Sequence, residues 1–216
     1  MNPARLAKIK NLIKPADKII MAKKDILPLR FPVEQTNFRS VYGKPNGLWY
    51  AVGKEWIEWV EREMPHWMGD RFYNITPSSK VLKINTLAKF QAFVQVYGEM
   101  KPSMFQGQEP QPQFDQYIDW RRVAKDYPGI EIAPYRQDCR LEYAWYYGWD
   151  VASGCIWDKS GIKSIERIYL RKPKATPWEA SVYTKNGEEI FPIFLKSIFE
   201  ERGQKSGQGK VQKSAP

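Results

Sequence analysis

The stretch Tyr146-Tyr147-Gly148-Trp149-Asp150-Val151-Ala152-Ser153-Gly154-Cys155-Ile156-Trp157 sets the strictest condition on any fold of this chain. Twelve positions hold four aromatic rings, one acid, one hydroxyl and one thiol, with two glycines that let another backbone approach closely. The rings need a sheet or cleft to cover them, and an acid between Trp149 and Val151 on a presumed strand is costly to bury unpaired. A second stretch of the same character, Gly43-Lys44-Pro45-Asn46-Gly47-Leu48-Trp49-Tyr50-Ala51-Val52-Gly53, runs from a Gly/Pro/Asn turn into a short aromatic strand. The two read as halves of one site.

The remaining pattern indicates an α+β domain with a mainly antiparallel sheet and three or four helices. Strands are expected at 38–42, 48–52, 80–84, 130–133, 165–170, 181–184 and 190–195, the last two joined by an Asn186-Gly187 hairpin turn. Leu27 to Val33, with two prolines, reads as an extended edge segment. A basic amphipathic helix is expected over 3–14, ended by Pro15, and another through Trp56, Trp59 and Val60, ended by Pro65, with both tryptophans facing the core. Helices with Leu87, Phe90, Val94 and Tyr97 on one face, and with Asp119 as N-cap of Trp120, Val123 and Ala124, complete the set. Residues 98–117 form a long surface loop. The organisation expected is a basic N-terminal extension over 1–30, one domain over 31–200, and a disordered basic tail over 201–216.

The net charge of +10 lies mostly at the ends. Residues 1–30 hold eight Lys/Arg against Asp17 and Asp25, residues 196–216 hold five against Glu200 and Glu201, and the body is near neutral. Basic ends suit nucleic acid or an acidic host protein as partner, and equally suit plain solubility. Cys139 and Cys155 have no CxxC spacing and His66 is the one histidine, so reduced thiols in a cytoplasmic setting, with neither a zinc site nor a disulfide framework, are expected. No apolar run approaches the roughly 20 residues of a membrane span, and lysines interrupt what would be a secretory leader.

Common chemistries drop out. The chain has no GxxxxGK[ST] and no GxGxxG, and a His-dependent nucleophile would have to use His66, between Pro65 and Trp67. What is left is an aromatic cleft with a few polar groups, suited to a flat, partly charged ligand such as a nucleotide. Trp49, Tyr50, Trp145, Tyr146, Tyr147 and Trp149 serve it as stacking surfaces or serve the sheet as core. Asp150 pairs with a base such as Arg39 or faces a ligand, and Arg39 and Ser40 offer a guanidinium for phosphate and a hydroxyl for a hydrogen bond.

The motifs Lys-Pro-x-Gly-Leu-Trp-Tyr (44–50), Ile-Asp-Trp-x-x-Val-Ala-x-x-Tyr-x-Gly-Ile-Glu-Ile-x-Pro-Tyr (118–135) and Trp-Tyr-Tyr-Gly-Trp-Asp-Val-Ala-Ser-Gly-Cys-Ile-Trp (145–157) resemble a family of small, largely uncharacterised proteins of bacteriophages and bacteria. More remotely, the order of parts is similar to ADP-ribosyltransferases: a first-strand Arg or His, a Gly-rich turn, a Gly-Leu-Tyr-Phe-Ala-like strand backed by a short helix, and an acid on a later strand. Phe38-Arg39-Ser40, Gly47 to Ala51, and Asp150 or Glu142 take these places. The chain departs from that pattern in lacking a clean His-Gly-Thr or Arg-Gly and a Glu-x-Glu. The resemblance implies NAD as ligand. Arg39 would hold the pyrophosphate, Ser40, Gly47, Trp149 and Ser153 would help bind, Trp49 and Tyr50 would stack on the nicotinamide side, and Asp150 or Glu142 would be the catalytic acid. The alternatives are a non-catalytic module gripping nucleic acid or a host protein, and a structural component whose aromatic stretches are core.

Overall fold

The computed structural model describes residues 1–36, 43–100 and 116–170. The strands expected at 38–42, 181–184 and 190–195, the tail, and the residues Arg39 and Ser40 lie outside the described residues.

The first 22 residues, read from the sequence as part of a basic extension, contribute a helix and a strand to the sheet and its core. Asn2 caps α1 (Pro3–Leu12), its side chain accepting from the Ala4 amide at 2.8 Å, and Pro3 supplies a pre-set φ in the first turn. Leu6, Ile9 and Ile13 are buried, and the cluster Ile19-Ile20-Met21 becomes β1 (Lys18–Ala22), an interior strand. Three apolar residues in a row suit a strand covered on both faces, which is why the segment reads poorly as half of an amphipathic element. The chain continues through β2 (Leu48–Val52), α2 (Glu55–Glu63), β3 (Arg71–Pro77), β4 (Leu82–Ile84) and α3 (Leu87–Tyr97). A small hairpin of β5 (Gly98–Met100) and β6 (Gln116–Ile118) leads to α4 (Trp120–Asp126), β7 (Gly129–Ile132), β8 (Ser153–Ile156) and β9 (Ile162–Arg167).

Seven strands form one sheet in the order β4-β7-β8-β2-β1-β3-β9, antiparallel except for the β4–β7 pair. Four α-helices and a mainly antiparallel sheet make this an α+β fold among the described residues. No helix among them is long and apolar enough to cross a membrane.

Register assigns the faces. Trp49 lies opposite Cys155 and Ala51 opposite Ser153, so all four side chains share one face, while Tyr50, opposite Gly154, points to the other. On the first face, Ile9, Ile13 and Ile57 pack with Ile19 and Phe72 at one end of the sheet. At its other end Phe90, Phe93, Trp120 and Trp145 pack with Ile130, Ile132 and Cys155. The second face carries Ile20, Tyr50, Tyr73, Ile75, Ile156 and Ile165, covered in part by Leu29 and Phe31 of the proline-containing segment. Two helical groups therefore sit at opposite ends of the same face, and the gap between them is over Trp49 and Ala51.

The N-cap at Asp119 forms as the sequence indicates, and Thr86 caps α3, its hydroxyl accepting from the Lys89 amide. The tryptophans of α2 do not face the core. Ile57 and Val60 do, and Trp56 and Trp59 stack half-buried beside them, ring centroids 4.9 Å apart and 8° from parallel. Moving one position along a helix rotates a side chain by about 100°, so the apolar stripe and the tryptophan stripe are neighbours.

Candidate functional site

A hollow of about 310 Å³ fills the gap between the two helical groups, lined by Met21, Lys44, Trp49, Tyr50, Ala51, Trp56, Trp67, Trp149, Asp150, Val151 and Ser153. Each wall comes from a different element. β1 and β2 give the floor, α2 and the 3-10 turn Pro65–Trp67 one side, and the 3-10 turn Ala144–Trp149 with the bend into β8 the other. α2 is tied to that bend, because the Glu55 carboxylate accepts the Ala152 amide at 2.8 Å. A wider groove of about 710 Å³, next to Gln35, Tyr127 and Trp157, contains none of the candidate catalytic or NAD-binding residues.

The rings are in mutual contact. Trp49 and Trp149 meet edge to face at 4.9 Å, and Trp67 lies 6.3 Å from Trp56. Trp149 is buried against Trp145 and Tyr146, whereas Trp67 is 45% exposed. The hollow thus grades from a fixed inner wall to an open aromatic lip.

Asp150 is not on a strand, as its sequence neighbours indicate, but at the bend between the 3-10 turn and β8. Its φ of 28° is the one positive value for a non-glycine residue among the described residues. The carboxylate is mostly covered and lies 3.4 Å from the Arg140 guanidinium. Burial pushes its pKa up, while Lys44 and Arg140 pull it down. Lys44 comes from the turn before β2, with its ammonium 5.0 Å from the centre of the Trp49 ring. Gly148 leaves it room, since a Cβ there would lie 3.0 Å from Lys44 Cε. Desolvation lowers the Lys44 pKa, and Asp150 opposes that.

The structure brings Trp49, Trp149, Asp150 and Ser153 together, with Ser153 Oγ donating to the Val151 carbonyl at 3.0 Å. It separates others. Tyr50 borders the hollow but is only 2% exposed, and its hydroxyl donates to Glu131 Oε2 at 3.0 Å, with Lys18 Nζ 3.2 Å from the same oxygen. The Tyr50 ring fills the space over Gly154, where a Cβ would be 2.4 Å from it. A stacking role for Tyr50 is therefore replaced by a packing role on the opposite face. Gly47 is outside the lining; a Cβ on it would come within 2.5 Å of the Ile156 carbonyl, so its job is the close approach of the turn to β8. Glu142 is exposed on a turn and also outside the lining, which leaves Asp150 as the acid of the hollow. Lys44, Met21, Trp56, Trp67 and Arg140 join the site unannounced. The signal for Trp56 was the doubled stripe on α2, and the signal for Lys44 was its place in the turn feeding Trp49.

Both cysteines are buried and free, and burial raises both thiol pKa values. Compared with family models, with curated proteins and with solved structures, the chain matches none.

Proposed function

We propose that the hollow binds the nicotinamide-ribose end of NAD and that the protein is an ADP-ribosyltransferase-like enzyme acting on a macromolecular target. The observation that carries this reading is the meeting of Trp49, Trp149 and Asp150, distant in sequence, around one hollow that opens to solvent. Indole walls favour a flat, electron-poor or cationic ring, and one carboxylate beside them favours positive charge. The volume suits a ring and its sugar rather than a whole dinucleotide, so the phosphates and adenosine would lie beyond the mouth. The order of parts supports the reading as well. β1 adjoins β2, the short helix α2 follows β2, and the acid precedes β8, which pairs with β2 on its other side. The place beside β2 is held by Lys18–Ala22.

In this scheme the bond between ribose C1 and the nicotinamide nitrogen breaks, and nicotinamide leaves neutral with the bonding pair. The Asp150 carboxylate stabilises the positive charge that develops on the ribose. A nucleophile of the target then bonds to C1 and gives its proton to solvent.

Titration with NAD, followed by tryptophan fluorescence, tests binding. Quenching that saturates in the wild type and weakens at least tenfold in Trp49→Ala is the expected result. Equal quenching curves for the two proteins would place NAD elsewhere.

A further inference from the structure

Among the described residues, the charged groups at the hollow include more cations than acids. Asp150 has its direct ion pair with Arg140, at 3.4 Å. Lys44 lies near the same carboxylate, close enough to pull its pKa down, yet outside ion-pair distance, and its ammonium has no hydrogen-bond acceptor among the described residues. An ammonium offers three donors, and one held over an indole at the edge of a cavity is placed to give them to something that enters. Among the described residues the charged groups here are Lys44 and Asp150 of the lining and Arg140 paired with Asp150, two cations to one acid.

We infer that Lys44 is a phosphate-recognising residue, so that the hollow selects a ring-bearing ligand with phosphate on its sugar over the corresponding phosphate-free nucleoside. This rests on the reading that the ring enters the hollow that Trp49 and Trp149 line together. The ring and the phosphate are then sensed by different residues: the indoles take the flat end, and Lys44 takes the anionic end where it leaves the mouth. An ammonium acts here as a point charge without the planar fork of arginine, so Arg in its place should preserve the preference. Gly148 belongs to the same device, because it leaves Lys44 space to lie against Trp49.

The test compares NAD with nicotinamide riboside, which has the same ring and sugar without phosphate, by calorimetric titration of the wild type, Lys44→Gln, Lys44→Arg and Trp49→Ala. The expected result is that Lys44→Gln weakens NAD about tenfold, moves nicotinamide riboside less than twofold, and flattens the salt dependence of NAD binding, while Lys44→Arg retains the preference. Equal loss for both ligands, or no loss for NAD in Lys44→Gln, overturns the inference while leaving the hollow as the NAD site. No binding of NAD to the wild type, or unchanged binding in Trp49→Ala, overturns the reading beneath it as well.

Discussion

Asp150 holds a backbone conformation that a residue with a Cβ rarely adopts, and it does so with a carboxylate that burial pushes toward neutrality. Such combinations of strain and desolvation cost stability and gather where a side chain must be aimed. The sign of the electrostatic part is testable. The pKa of Asp150 is raised in the fold, so the fold favours the protonated acid. That contribution is fully present below the ordinary carboxylate pKa and is lost as the pH climbs through the raised value. Asparagine keeps the shape without the charge. Asp150→Asn should therefore melt at a higher temperature than the wild type at neutral pH, and the two should converge below about pH 4. Melting curves across that range check it, and a variant less stable than the wild type at pH 7 would show that the Arg140 contact outweighs the burial cost. The acid itself was legible in the sequence because it is the one carboxylate in its aromatic stretch. Its position at a bend was not, since positive φ leaves no mark when the residue is not glycine. The orientation of Tyr50 was hidden for a related reason: strand neighbours point to opposite faces, and only the pairing with Gly154 reveals which of Trp49 and Tyr50 turns its ring to the hollow.

Among the elements, β1 alters the picture most. Local patterning identified α1, α3 and α4 because each has a buried face and a cap, and β2 and β7 because turn residues precede them. It did not recognise β1 as an interior strand, because a short apolar cluster among lysines carries no period of its own. Its partners, β2 and β3, are long-range neighbours that only the folded chain supplies. Lys10 and Lys18 show the same thing electrostatically. The first lies 3.0 Å from Glu61 and the second 3.2 Å from Glu131, so part of the N-terminal charge is used inside the domain. Removing residues 1–22 should consequently abolish cooperative unfolding, since it strips an interior strand and exposes Ile57 and Phe72. Circular dichroism melts of the truncated protein check this, and an intact cooperative transition would mean that the segment is an appendage after all.

At the level of the whole molecule, the sheet decides where a ligand can go. Its helices cover the two ends of one face and leave the middle open, and that opening falls on the β2–β8 pair, where both aromatic stretches meet. That those stretches belong together was legible because each sets aromatic rings beside glycines. The other side of the hollow was not, because α2, the turn at Trp67 and the Lys44 turn converge only through packing. The central claim is that these walls hold NAD so that Asp150 can assist loss of its nicotinamide. The most direct measurement is release of free nicotinamide from NAD by the wild type and by Asp150→Asn, each with its melting temperature recorded. Release by the wild type, with at least a hundredfold slower release by a folded Asp150→Asn, is the predicted result. Equal release by the two proteins, or none by the wild type, would contradict it.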